Sequence, residues 1–269
     1  MGAVLYVGTA GFSYPDWVGV LYPERMKSQD FLKFYAGKFN CVELDFTYYR
    51  QPVPRTMQAM AGKVPPDFRF TVKSYKTITH DIPASTEEQA KEMATFAEGV
   101  APMADSGTLG CILYQFPWGF KYSPENLAYV ASLRDRINLA PAVVEFRNAV
   151  WARDEVYQTL RDSGTGFCCV DEPNLLGLFP KISAVTSNVG YVRFHGRNAA
   201  KWWSHKEAWE RYDYLYADEE MNSWIPKIRA MEEEADDTYV LYNNCHRGQA
   251  AVNATRMKEL LNLIETPGQ

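Results

Sequence analysis

The chain has 269 residues, a length typical of a single α/β barrel and sufficient to bury a large core. Hydrophobic residues make up 46% and charged residues 23%, which excludes the disordered classes. A formal charge of −5 argues against nonspecific coating of nucleic acid, which needs many phosphate-neutralising lysines and arginines, but it allows a local basic pocket.

The first strand pattern, VLYVGT from Val4, starts almost at the N-terminus. No basic stretch and long apolar run precede it, and no run approaches ~20 apolar residues, so neither a signal peptide nor a membrane span is expected. Ser28 then lies shortly before a helical pattern, DFLKFYAGKF, which leads to a second strand, CVELDF from Cys41. A helix from Pro54 to Gly62 precedes the third strand, FRFTVK from Phe68. Ser85 and Glu88 form a capping box for a helix running to Val100, and the fourth strand, LGCILYQF, begins at Leu109. Ser123 and Pro124 open the helix ENLAYVASLRDR, followed by AVVEFR from Ala142, a helix from Asp154 to Arg161, and GFCCVD from Gly166. The next segment, NLLGLFPKISAVTS, has no clear helical period and is expected to be a short or irregular helix. YVRF from Tyr191 is the seventh strand. A helix from Asp218 to Ala235, the strand YVLYNN from Tyr239 and a helix from Gln249 to Glu265 complete the order.

Eight strands alternating with helices imply parallel strands and right-handed crossovers. Eight such units close into a (β/α)8 TIM-type barrel, read here as one domain over residues 1–269 with long loops at its C-terminal face. An open doubly wound sheet is the alternative, but GTAGFS imitates its glycine-rich phosphate loop only loosely. Cys41, Cys111, Cys168 and Cys169 lie in strand patterns and Cys245 follows one. No CxxC pair or disulfide-like spacing occurs, so a reducing, cytoplasmic compartment is expected.

In a barrel strand, residues i and i+2 share a face. Apolar sets mark the face under the helices: Val42, Leu44 and Phe46; Phe70 and Val72; Ile112 and Tyr114; Val144 and Phe146; Cys168 and Val170; Val192 and Phe194. The opposite parity then brings Glu43, Asp45, Glu145 and Asp171 into the lumen with Lys73, Arg147 and Arg193, beside Gln115 and His195, and Asn243 or Asn244 joins them at the rim. An ion-pair network that merely fills the barrel would also be near balance. Desolvation costs several kcal/mol per ion, however, so binding or catalysis is the better reason to hold so many charges there.

The motifs VGTAGFSYPDW, VELDFTYYRQP, FTVKSYKTITHD, LYQFPWGF, VVEFRNAVW, VDEP, YVRFHGRNA and YNNCHRGQAAVNA resemble, in this order, those of the YecE-like barrel family, domain of unknown function 72. The resemblance runs from about Val7 to Ala254. It implies a TIM-type barrel and little about chemistry. It carries over Glu43, Lys73, Gln115, Glu145, Arg147, Asp171, Arg193, His195 and Asn243, and adds Gly196 and Asn253. Asp45 departs from the asparagine usual in the family.

Lys73, Arg147 and Arg193, with Arg197 at the rim, would make a basic floor for a phosphate, a carboxylate or a developing oxyanion. Glu43 or Glu145 is the expected general base and His195 the general acid. Glu43, Glu145, Asp171 and His195 could together ligate a divalent cation, but no H-x-x-x-H spacing appears and the nearby cations would crowd it. His80, His205 and Cys245-His246 are weaker ligands still, so no metal or other cofactor is assigned. The loops bring Phe12, Tyr14, Trp17, Tyr22, Trp118, Trp151, Trp202 and Trp203 toward the same end, where they either pack the loops or form walls for a sugar or base ring. Tyr48 and Tyr49 divide, one under the helices and one at the mouth. The expected substrate contacts are Tyr14, Trp17, Tyr49, Gln115, Arg197, Asn243, Asn244 and Asn253.

These residues suit an enzyme using acid-base chemistry on a small polar or anionic substrate, such as a sugar derivative, a phosphorylated metabolite or a nucleotide. The alternatives are a phosphodiesterase or nuclease, disfavoured by the acidic net charge, and a non-catalytic metabolite-binding barrel. No membrane partner is expected.

Overall fold

A computed structural model describes residues 3–264. Its eight strands are β1 (Val4–Ala10), β2 (Cys41–Leu44), β3 (Arg69–Lys73), β4 (Leu109–Gln115), β5 (Ala142–Glu145), β6 (Gly166–Asp171), β7 (Val189–Phe194) and β8 (Asp237–Tyr242). They pair in parallel in sequence order, and β1 pairs with β8 to close the barrel. Nearly every strand residue is buried, because helices cover one face and the lumen encloses the other. This is the expected TIM barrel. The base of the lumen is filled by aromatics, with Tyr6 stacked on Tyr239 at 4.8 Å and Tyr191 at 5.7 Å from Tyr239.

The outer helices begin where their caps predict. Ser85 Oγ accepts from the Glu88 N–H at 3.4 Å and opens Thr86–Asp105, and Ser123 Oγ accepts from the Asn126 N–H at 3.1 Å ahead of Pro124–Arg136.

Some expectations need correction. β2 stops at Leu44, and Phe46–Tyr49 turns into a short helix, so Asp45 sits at the strand's end rather than within it. Residues 172–188, after β6, form no helix. The pattern from Asp218 divides into Asp218–Asn222 and Ile225–Glu234, since Pro226 lacks the N–H that would continue the first helix and fits the opening turn of the second. The last helix, Gln249–Leu260, stops short, and its expected end at Glu265 lies outside the described residues. The long connection from β7 to Asp218 carries a turn of helix at Ala199–Trp202 and a 3₁₀ turn at Ala208–Tyr212 over the barrel mouth.

Close strand approach leaves no space at Gly8, where an added Cβ would lie 2.2 Å from the Cys41 carbonyl oxygen. Because that oxygen belongs to the backbone, it cannot move aside without disturbing the β1–β2 ladder. Gly8→Ala is therefore expected to cost roughly 2–3 kcal/mol, seen as a lower urea midpoint at unchanged slope. An unchanged midpoint would show that the ladder accommodates the methyl group.

Candidate active site

Alternation along β7 turns Tyr191, Arg193 and, just past the strand, His195 into the lumen. Arg193 is only 1% exposed. Its Nη1 lies 2.6 Å from Glu145 Oε2 and its Nη2 2.5 Å from Glu43 Oε1, with Asp45 Oδ1 at 3.7 Å. Glu43 Oε2 also accepts from the Tyr191 hydroxyl at 2.7 Å, and that hydroxyl pairs with Thr71 Oγ1 at 2.9 Å. The other oxygen of Glu145 faces Arg147 Nε at 2.5 Å and His195 Nε2 at 3.2 Å, both off the line of a well-aligned hydrogen bond. Arg147 reaches on to Glu172 Oε2 at 3.0 Å. On the far edge of the imidazole, His195 Nδ1 lies 3.1 Å from Asn243 Nδ2 and 3.4 Å from Arg147 Nη2.

This surrounding sets the protonation states. Burial alone would raise Glu145, yet Arg147, Arg193 and His195 hold its carboxyl well below the usual range. Burial pushes Glu43 up to about 8 against the pull of Arg193, with Asp45 adding to the rise. Burial likewise lifts Glu172 to about 7 against Arg147. His195 is driven down to about 3 by burial and then by Arg147, so its ring is neutral. Two nitrogen donors at Nδ1 and a carboxylate opposite Nε2 select the Nε2–H tautomer. The expected role of His195 as an imidazolium acid therefore needs correction.

Above this network opens a cleft of about 260 Å³. The ends of β3 and β4 contribute Lys73 and Gln115, the residues just past β5 contribute Arg147, and the short turn Lys76–Thr79 is followed by His80. The remaining walls come from the short helical turns and loops that follow the strands and include Tyr48, Trp118, Trp202, Trp203, Arg211 and Tyr212. Among the described residues, three cations and no carboxylate line the cleft. Arg147 is already paired with Glu145 and Glu172. Lys73 is different: Nζ sits 4.6 Å from the centre of the Tyr48 ring and makes no ion pair among the described residues. Burial lowers its pKa, with Arg193 acting in the same direction and Asp45 opposing. His80 is pushed down to about 4 by burial and then by Lys73, and it packs edge-on against Tyr48 at 4.7 Å. At the outer lip, Trp118 and Trp203 meet at 5.7 Å and 72°.

Other expected site residues lie elsewhere. β6 has the opposite parity from that expected: Cys168 Sγ lies 3.7 Å from Glu145 Oε2 in the lumen, whereas Cys169 contacts the Ala184 backbone outside. Asp171 consequently faces outward, where it accepts from both Arg197 Nε and Nη2 at 2.7 and 2.6 Å, Trp224 Nε1 at 2.7 Å and the Tyr216 hydroxyl at 2.9 Å. Arg197 also binds Glu220 at 2.7 Å, so it is held by acids away from the cleft. Asn244 and Asn253 hydrogen-bond each other at 2.9 Å and tie down the backbone of Tyr214 and Tyr216. Gly196 makes the turn after β7 at φ +86. Tyr14 donates to the Ala10 carbonyl at 2.9 Å and Trp17 to the Cys245 carbonyl at 2.8 Å, which fastens the first loop to the end of β8. Tyr22 stacks on Phe31 and Trp151 on Phe146, both as packing. Tyr48 lines the cleft, whereas Tyr49 is 76% exposed and does not.

Sequence reasoning missed Tyr191, although it shares the parity of Arg193. It also missed Glu172, next to Asp171 in VDEP, and His80 as a wall of the cleft. Arg211 and Tyr212 lie in a loop with no periodicity to reveal them. Among the described residues, no group of three His, Cys, Asp or Glu side chains is placed to hold a metal ion, and no helix is long and apolar enough to cross a membrane.

Comparison with known proteins agrees with this architecture. YunF of Bacillus subtilis, a UPF0759 protein, is 31% identical over 97% of this chain and 95% of its own length. The crystal structure of a DUF72 family protein from Thermotoga maritima superposes with a TM-score of 0.87 at 42% identity, covering 96% of this chain and 99% of the other. A D-psicose 3-epimerase solved in the presence of D-fructose reaches a TM-score of 0.50 at 10% identity, over 88% of this chain and 94% of its own, a likeness of fold alone. The family described as "Protein of unknown function DUF72" matches residues 6–268, and the chain belongs to that family.

Proposed function

We propose that this protein is an enzyme that holds a small anionic substrate in the barrel-mouth cleft and acts on it by acid-base chemistry, with Lys73 as the reactive amine. The observation that carries this reading is the cleft's charge: Lys73, Arg147 and Arg211 line it without a carboxylate, and Lys73 has no ion-pair partner among the described residues. An ammonium with no acid partner is free to pair with an incoming anion, and once deprotonated it becomes a base. Trp118, Trp203 and Tyr48 give the same cleft aromatic surfaces for a sugar or base ring. Gln115, whose Nε2 donates to the Phe116 carbonyl at 2.7 Å, keeps its amide oxygen for a hydroxyl donor. His195 positions Arg147 and Asn243 rather than exchanging protons.

Two measurements test this reading. Phosphorylated sugars should raise the melting temperature, and Lys73→Met should weaken that binding about 10- to 100-fold, as expected for losing a hydrogen bond to a charged group worth ~1.5–3 kcal/mol. In D2O, the wild type should introduce deuterium at a carbon of a bound sugar phosphate and Lys73→Met should not. Binding with no exchange or other product would identify a metabolite-binding barrel instead, and unchanged binding by Lys73→Met would reject the anion site.

His195 should keep a neutral Nε2–H ring from pH 5 to 8 in nitrogen-resolved NMR, and a midpoint near 6.5 would contradict this arrangement. The linkage has a definite sign. Between pH 6.5 and about 3 the unfolded chain binds a proton on this ring that the folded chain lacks, so its contribution to stability is present above 6.5 and declines as pH falls. His195→Asn should remove up to one proton from that slope, ~1.4 kcal/mol per pH unit.

A further inference from the structure

We infer that Lys73 is a carbonyl-capturing nucleophile, which forms an imine with an aldehyde or ketone that carries an anionic group and lies in the mouth cleft. The inference rests on the reading of this cleft as an anion-binding active site and specifies its chemistry. Lys73 ends β3, so its Cα is fixed by the barrel wall while its side chain reaches the cleft. Its Nζ has neither a carboxylate partner nor a hydrogen bond among the described residues, and the Tyr48 ring covers one side of it at 4.6 Å. A structural lysine beside lumenal acids would be expected to pair with one of them, and this half-buried one does not. Acids are close at hand in this lumen, but Arg193 and Arg147 take up Glu43 and Glu145, and Asp45, whose charge strengthens the hold of Lys73 on its proton, forms no ion pair with it and lies 3.7 Å from Arg193. That leaves the amine free for an incoming electrophile.

The surroundings also favour the nucleophilic form. Burial lowers the affinity of Lys73 for its proton, against Asp45 and the other lumenal acids and with Arg193 adding to the fall, and only the neutral amine attacks a carbonyl. Arg147 and Arg211 line the same cleft and supply charge for the substrate's phosphate or carboxylate. In the reaction, the nitrogen lone pair forms a bond to the carbonyl carbon and the carbonyl oxygen becomes a hydroxyl. The two protons of the amine leave with that oxygen as water, giving a neutral imine. One proton from solvent converts it to the iminium, which acidifies the adjacent C–H bond and is consistent with deuterium exchange.

The test uses pyridoxal 5′-phosphate, which combines an aldehyde, a phosphate and a ring, with borohydride reduction and peptide mapping of the full chain. Lys73 should be labelled at least about tenfold faster than surface lysines, because its amine is more often neutral and the cleft holds the phosphate beside it. Excess inorganic phosphate should suppress the label, and Lys73→Arg, checked for folding by circular dichroism, should abolish it. The mapping of wild type needs no variant to fold. If labelling spreads over surface lysines with Lys73 no faster, while calorimetry still shows phosphate bound, the imine is overturned and the anion cleft survives with Lys73 as a simple base. If phosphate neither binds nor protects and Lys73 is not preferred, both readings fail. Preferred labelling of Lys73 that phosphate does not diminish supports the nucleophile and counts against the anion site.

Discussion

A guanidinium placed in a barrel lumen must be compensated where it lies, and much of this site follows from how Arg193 is compensated. Its two terminal nitrogens take Glu43 and Glu145, one carboxylate from each side of the barrel. Glu145 then needs more positive charge than a shared arginine supplies, and Arg147 provides it, bringing in Glu172 in turn. Removing one member of such a chain leaves a buried charge unpaired, whereas the intact chain contributes little net stability. The arrangement is better understood as a rigid electrostatic floor. Its carboxylates are used below the cleft, so the surface facing the cleft is cationic, with Lys73 as its uncompensated member.

A second polar cluster outside the barrel serves the same site at a distance. Asp171 is enclosed by Arg197, Trp224 and Tyr216, and the Gly196 N–H donates to the Tyr216 hydroxyl at 2.8 Å. Apart from Lys181, at 3.6 Å in the segment before β7, these partners lie on or beside the long connection after β7. That connection delivers Trp202, Trp203, Arg211 and Tyr212 to the cleft. Asp171 and Arg197 therefore position the loop, and they need not touch a ligand to matter to its binding. Asn244 and Asn253 fasten the same loop from the β8 side.

The barrel was legible in sequence because each strand must bury both faces, leaving eight compact apolar runs separated by capped helices. The lumenal face was legible wherever one parity was apolar and the other charged, as in β2, β5 and β7. It failed in β6, where GFCCVD offers one charge among apolar residues and the alternation could be read either way. Asp171 was assigned inward by its charge, whereas it satisfies that charge outside with Arg197. Tyr14 and Trp17, expected as substrate contacts, fasten a loop instead, for a related reason. A tryptophan such as Trp17 that closes a loop by hydrogen bonding to a backbone carbonyl resembles, in sequence, one such as Trp118 that walls a cleft. Only contacts across the fold separate the two.

Reactivity then falls on the lysine rather than the histidine by an argument about unused bonding capacity. His195, the conventional proton carrier near neutral pH, has Asn243 and Arg147 against one ring nitrogen and Glu145 against the other. To accept a proton at Nδ1 it would have to displace two donors and place a third positive charge beside Arg147 and Arg193. Lys73 faces no such obstacle. Its nitrogen is reached from the cleft, has no partner to surrender, and lies where burial weakens its hold on a proton despite the pull of Asp45. The arginine-rich floor that keeps the histidine inert also takes up Glu43 and Glu145, and so leaves the amine above it without an ion-pair partner.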